Sequence, residues 1–218
     1  MRSKTEIHSL LTQTGIIAVV RLEKAEQVLP VCEALVAGGV IALEITLTIP
    51  DALGAIREAS RHFGSRGLVG AGTVLNILDC RAALEAGAEF IVSPISKTEL
   101  IEAAHAVDRP VVLGAYTPTE AQLAHEAGAD FIKLFPADGL GPAYIKALHA
   151  PLPHLRIIPT GISKTEDVTA FIRAGCVAVG LGSLLVPLPL VREGNWAELT
   201  RRAAEFVQTV RAARSACQ

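Results

Sequence analysis

The segment Ala127-Gly128-Ala129-Asp130-Phe131-Ile132-Lys133-Leu134-Phe135-Pro136 joins the end of a helix to the start of a strand. Glycine is favoured where a helix closes in left-handed backbone. The apolar run after it is nearly continuous rather than alternating, the mark of a strand covered on both faces. The same Ala-Gly step recurs at Ala37-Gly38, Ala86-Gly87 and Ala174-Gly175, each ahead of another apolar run. Eight such runs are legible, at residues 15–21, 42–48, 68–74, 90–94, 110–116, 131–136, 156–161 and 177–183. The four Ala-Gly steps precede the second, fourth, sixth and eighth, so the pattern repeats once per pair of strand–helix units.

Helix signals fill the intervals. Residues 51–61 follow Pro50, a good first-turn residue. Thr98-Glu99 and Thr117-Pro118-Thr119-Glu120 offer a cap and an acid for a first turn. Trp196, Leu199, Ala203, Phe206, Val207 and Val210 share one face of a C-terminal helix, and residues 4–12 read as a short extra helix outside the repeat. Eight strands with eight crossovers predict an α/β fold, a (β/α)8 TIM barrel with a short N-terminal helix. The rival is an open doubly wound sheet; the count favours the barrel. With no linker, low-complexity stretch or charge block, residues 1–218 are expected to form a single (β/α)8 barrel domain.

Composition narrows the function. Half of the 218 residues are hydrophobic and 19% are charged, which excludes disorder and calls for a large core. With 20 basic and 22 acidic residues and no basic block, nucleic acid is not an expected partner. Cys32, Cys80, Cys176 and Cys217 are scattered, without a CxxC, as in a reduced cytoplasmic protein. The N-terminal residues 1–15 are polar, without the apolar core of a secretory signal. The uncharged run 174–191 is broken by Gly175, Gly180, Gly182, Pro187 and Pro189, so it reads as a buried strand and loop rather than a membrane span.

Glu44 and Lys133 interrupt their apolar runs, and Arg21 ends the first. Lysine and glutamate are rarely buried unless paired or functional. An ion pair plugging the barrel is the bland reading; the functional reading leads because burial and pairing are how sites perturb pKa. A lysine set among Ile132, Leu134 and Phe135 beneath a barrel mouth is a candidate Schiff-base nucleophile, since a desolvated amine can lose its proton and attack a carbonyl. Lys4, Lys24, Lys97, Lys146 and Lys164 sit in polar or helical contexts and read as solvated. Glu44, which shares a strand face with Thr46 and Thr48, is the candidate proton carrier.

The ends of the seventh and eighth strands, Pro159-Thr160-Gly161 and Gly180-Leu181-Gly182-Ser183, can be read in two ways. They are either a phosphate cradle of backbone N–H groups or simply tight turns. Gly70-Ala71-Gly72-Thr73 lacks the third glycine of a dinucleotide fingerprint. The six histidines form no HExxH and lie off the strand ends, with His105 and His125 read as surface helix residues, so no metal site is expected. Ser183 has no GxSxG elbow. No cofactor is expected.

Glu44-Ile45-Thr46-Leu47-Thr48, Gly70-Ala71-Gly72-Thr73-Val74, Ile91-Val92-Ser93-Pro94, Thr117-Pro118-Thr119-Glu120, Lys133-Leu134-Phe135-Pro136-Ala137 and Gly141-Pro142-Ala143-Tyr144-Ile145-Lys146-Ala147-Leu148 together resemble the class I aldolases that cleave 2-keto-3-deoxy-6-phosphogluconate (KDPG). That family also includes 6-phosphogalactonate and 4-hydroxy-2-oxoglutarate (KHG) aldolases. The resemblance runs from about residue 15 to 210, in order. It implies that Lys133 forms the Schiff base with the 2-keto carbon and that Glu44 is the general acid/base. It implies further that Thr73 and Arg21 hold the keto-acid end, that Pro94 and Phe135 wall the pyruvyl pocket, and that Thr160, Gly161, Gly182 and Ser183 contact the far end and any phosphate. A homotrimer is implied as well.

Two departures stand out. Thr48 replaces the arginine that binds the substrate carboxylate in many members, which shifts load to Arg21. Pro159-Thr160-Gly161 runs straight into Ile162-Ser163 where PTGG is usual, one glycine short. A weakened but real selection for phosphate is expected, with Ser163 or a neighbouring backbone N–H restoring part of the lost contact. The leading expectation is an aldolase that cleaves a 2-keto-3-deoxy-6-phospho sugar acid to pyruvate and an aldehyde such as glyceraldehyde 3-phosphate. A 4-hydroxy-2-oxoglutarate or 6-phosphogalactonate type is the nearer alternative. A phosphosugar isomerase or epimerase, and an inactive oligomeric barrel, are the readings of another class.

Overall fold

The computed structural model describes residues 2–216; Cys217 lies outside them. Among the described residues, eight strands form one sheet: β1 (Ile16–Val20), β2 (Ala42–Thr46), β3 (Leu68–Gly72), β4 (Ile91–Val92), β5 (Val111–Ala115), β6 (Phe131–Leu134), β7 (Ile157–Pro159) and β8 (Val179–Leu181). The order is β7-β6-β5-β4-β3-β2-β1-β8, and the strand pairs are parallel. The ring closes between β7 and β8 through a bridge from Thr160 to Gly180 and a Val177 N–H to Ile157 C=O bond of 3.1 Å. The fold is a (β/α)8 barrel, as the alternation predicts. Each strand lies inside its predicted run and is shorter, because ladder pairing stops where the chain flares into a loop.

The helices are α1 (Lys4–Thr14), α2 (Val28–Ala37), α3 (Ala52–Phe63), α4 (Ile77–Glu85), α5 (Glu99–His105), α6 (Pro118–Glu126), α7 (Gly141–His149), α8 (Thr165–Arg173), α9 (Leu188–Arg192) and α10 (Trp196–Ser215). Capping boxes start α1 (Ser3 with Glu6) and α6 (Thr117 with Glu120). Thr98 does not cap α5 through its side chain, because its own backbone is already helical. Gly87, Gly128 and Gly175 take the left-handed conformation after α4, α6 and α8. After α2 that role passes to Gly39, while Gly38 stays right-handed. Gly38 is needed for close approach instead: a Cβ there would lie 2.4 Å from the Cβ of Ala203 on α10.

Alternation along the strands sorts two cores. Ile17, Ala42, Leu68, Phe90, Val92, Val112, Phe131, Ile158 and Ala178 fill the barrel interior, and Ile7 and Leu11 of α1 seal its N-terminal end. The outward residues, such as Ile132 and Leu134, join the helices in the second core. Each strand is therefore buried on both faces, which is why the runs are apolar throughout. No helix among the described residues is long and apolar enough to cross a membrane; the run 174–191 holds β8 and the start of α9.

Beneath β6 the Asp130 carboxylate ties α1 and α5 to the sheet. It faces His8 Nε2 at 2.9 Å, His105 Nε2 at 2.7 Å and Lys4 Nζ at 3.4 Å, and it accepts the Val111 N–H at 2.8 Å. His105 and Lys4 are thus anchors rather than free surface groups, because the helix face that carries them meets a buried carboxylate. Cys32, Cys80 and Cys176 are buried thiols, and desolvation pushes Cys32 and Cys176 up to about 12.

Candidate active site

Lys133 and Glu44 lie on opposite walls of the barrel. Lys133 on β6 is in register with Gly114 of β5 and Ile158 of β7, and Glu44 on β2 with Val19 of β1 and Gly70 of β3. Three strands separate β2 from β6 along the sheet, so the two side chains meet across the axis. Lys133 Nζ is 3.2 Å from Glu44 Oε1, with side chains 6% and 3% exposed. The Lys133 Nζ also lies 5.6 Å from the centroid of the Phe135 ring.

Interior glycines make this crossing possible. A Cβ on Gly72 would fall 2.2 Å from Glu44 Oε1, so the second glycine of Gly70-Ala71-Gly72 houses the carboxylate. A Cβ on Gly70 would sit 2.4 Å from the Phe90 ring, which fills the interior below the site. Gly114, beside Lys133, admits the Pro94 carbonyl, and Gly180 admits the Thr160 hydroxyl. The GAG motif is therefore a space-making device inside a barrel, consistent with its failure to match a dinucleotide fingerprint.

The other expected residues are placed around the C-terminal mouth. Thr46 is fully buried, and its hydroxyl donates to the Val20 carbonyl at 3.2 Å. Its oxygen is 2.9 Å from the Thr48 hydroxyl; with the Thr46 proton given to Val20, the proton between the two comes from Thr48. Arg21, just past β1, is exposed and forms no ion pair with a described residue. Thr73 follows β3 at φ 59°, a left-handed conformation unusual for a β-branched residue and of a kind that clusters at functional sites. Pro94 is half-buried after β4. Thr160 is buried, and its carbonyl accepts the Ala137 N–H at 2.9 Å. Gly161, at φ 84°, lies against the Phe135 ring. Gly182 is half-buried and Ser183 exposed after β8.

Ser163 is not free to contact an anion. Its backbone N–H and its hydroxyl both donate to Asp138 Oδ1, at 3.2 and 2.7 Å. Sequence reading passed over Asp138, although an acid in the loop after the lysine strand was the available signal. Ser93, quoted within its motif but given no role, is a fully buried polar residue just past β4 whose oxygen accepts the Ile95 N–H at 3.4 Å. Among the described residues no group of three or more His, Cys, Asp or Glu is placed to hold a metal ion.

A buried amine and a buried carboxylate 3.2 Å apart inside the barrel are the groups that Schiff-base chemistry on a keto acid requires. Known proteins share the arrangement of the chain. A family model described as "Aldolase: KDPG and KHG aldolase" matches residues 7–202. The 2-dehydro-3-deoxy-phosphogluconate aldolase of Pseudomonas aeruginosa is 35% identical over 206 residues, 93% of this chain and 92% of that protein. The 2-dehydro-3-deoxy-6-phosphogalactonate aldolase of Escherichia coli is 36% identical over 204 residues, 93% of this chain and 97% of that one. The crystal structure of the KDPG aldolase from Legionella pneumophila, with pyruvate captured as a covalent carbinolamine, superposes with a TM-score of 0.84 at 29% identity, covering 91% of this chain and 97% of that one. A match across nearly the whole length, on the same barrel, leaves one conclusion: the chain belongs to the KDPG and KHG aldolase family.

Proposed function

We propose that the protein is a class I aldolase that cleaves 2-keto-3-deoxy-6-phosphogluconate to pyruvate and glyceraldehyde 3-phosphate. The observation that carries this reading is the buried contact of Lys133 Nζ with Glu44 Oε1 across the barrel axis. A proton can pass from Nζ to Oε1 within the pair, freeing the amine lone pair. The amine adds to the C2 carbonyl, and Glu44 returns its proton to the carbinolamine hydroxyl, which leaves as water to give an iminium and a free Glu44 carboxylate. The iminium draws the electrons of the C3–C4 bond into an enamine as the C4 hydroxyl gives its proton to the Glu44 carboxylate and the aldehyde departs. Glu44 then returns a proton to C3, directly or through a water, and hydrolysis of the new iminium releases pyruvate and restores Lys133. The L. pneumophila aldolase, with its pyruvate carbinolamine, supports this sequence of steps.

Around that pair, Thr73 and Arg21 hold the keto-acid end, Pro94 and Phe135 wall the pyruvyl group, and Thr160, Gly161, Gly182 and Ser183 receive the far end. Arg21 takes the carboxylate; Thr48, its proton given to Thr46, keeps lone pairs, which suit a substrate hydroxyl rather than an anion. The enzyme works in the cytoplasm as a homotrimer of single-domain barrels. Exposed Leu75, Leu78, Ile95, Tyr116 and Leu123, on consecutive strand–helix units, support an oligomer.

Incubation with pyruvate and borohydride should add one pyruvyl mass at Lys133. An adduct at Lys146, or none from active enzyme, refutes the assignment. A phosphosugar isomerase or epimerase on the same barrel has no need of a nucleophilic amine and forms no adduct.

A further inference from the structure

The loops after β6 and β7 run side by side at the mouth. The Ala137 N–H donates to the Thr160 carbonyl, and the Phe135 ring lies against Gly161. One residue further along, Asp138 takes both the N–H and the hydroxyl of Ser163 onto a single carboxylate oxygen. An oxyanion at a strand end is bound by such backbone N–H and hydroxyl donors. Here two of the donors of the β7–α8 loop are already spent, and the group that holds them is itself an anion five residues from the lysine. The loop therefore offers a phosphate fewer donors and a like charge.

We propose that Asp138 sets how strongly the enzyme selects a phosphorylated substrate, by engaging Ser163 and by placing its own negative charge on that rim. The clamp blunts the preference for phosphate and admits substrates whose far end is a neutral hydroxyl. This rests on the aldolase reading above. Asp138 is a positioning residue: it acts on the substrate's far end through Ser163 and through its charge, away from the reacting carbons.

The test is kcat/KM for 2-keto-3-deoxy-6-phosphogluconate divided by that for its unphosphorylated twin, in the wild type, Asp138→Asn, Asp138→Ala and Asp138→Ala/Ser163→Ala. A hydrogen bond to a charged group gained by phosphate corresponds to roughly a ten-fold rise in affinity, so Asp138→Ala should raise the ratio about ten-fold, through KM. Asp138→Asn, which keeps an acceptor for Ser163 but drops the charge, should give a smaller rise. The double variant should lose part of the gain. Inorganic phosphate should inhibit Asp138→Ala at about ten-fold lower concentration than the wild type. A ratio unchanged or lowered in both single variants overturns the inference and makes the clamp a loop fastener. Failure to trap pyruvate at Lys133, with no pyruvate released from either substrate, sinks the aldolase reading and this inference with it; trapping with an unchanged ratio sinks the inference alone.

Discussion

Glu44 and Gly72 act as one unit at the scale of single residues. The carboxylate reaches the axis because the strand beside it carries no side chain at position 72, where a Cβ would overlap Glu44 Oε1. Glu44→Gln should keep the fold and lose about 100-fold or more in rate, the scale of general acid–base catalysis. Gly72→Ala should push the carboxylate off its contact with Lys133, and a displacement of about 1 Å costs on the order of 100-fold when a reacting group is misplaced. Both losses come from the same carboxylate, so Gly72→Ala placed on Glu44→Gln should add little. Steady-state pyruvate release from the two single variants and the double variant measures this coupling. Multiplicative losses would separate the two residues.

At the scale of elements, α1 is held to the barrel floor by apolar plugging and by the Asp130 cluster. Burial on its own would push the Asp130 carboxyl up. The close His8 contact, together with the hydrogen bonds with His105 and the Val111 N–H, outweighs it and holds the carboxyl well below the usual carboxylate range. A folded-state value below the unfolded one stabilises the protein in full above the unfolded value and less as pH falls through the folded one. Asp130→Asn should therefore cost about 2–3 kcal/mol at neutral pH, the scale of a lost charged hydrogen-bond network. The gap from the wild type should hold down to about pH 5 and close progressively below about pH 4. Urea midpoints from pH 7 to pH 3 read this out; a gap constant across that range would remove Asp130 as the cause.

The whole molecule is a closed ring that leaves a few large apolar side chains outside. Leu78, at the start of α4, is 74% exposed and is the most exposed of them. On the trimer reading, sedimentation should give a species of about three chains. Leu78→Glu should shift it towards monomer while the circular dichroism spectrum is retained, because a charge buried without a partner opposes association. A wild-type monomer, or a trimer indifferent to Leu78→Glu, counts against this surface as the contact.

The sequence by itself determined what depends on neighbours along the chain. Apolar runs without alternation made strands covered on both faces, three of the four Ala-Gly steps closed their helices with the glycine in left-handed backbone, and Thr117 with Glu120 built its capping box. It also marked Lys133 and Glu44, because a charge in an apolar strand is conspicuous wherever the strand ends up. Only the tertiary structure decided what depends on how the ring closes. That Lys133 meets Glu44, 89 residues away, follows from β2 and β6 standing opposite each other. That Gly72 is a socket, that His105 is an anchor and that Ser163 is taken by Asp138 follow from the same closure. Local sequence encodes backbone preference and the face a side chain takes. The distance between two faces is set by strand number and stagger, which no single segment contains.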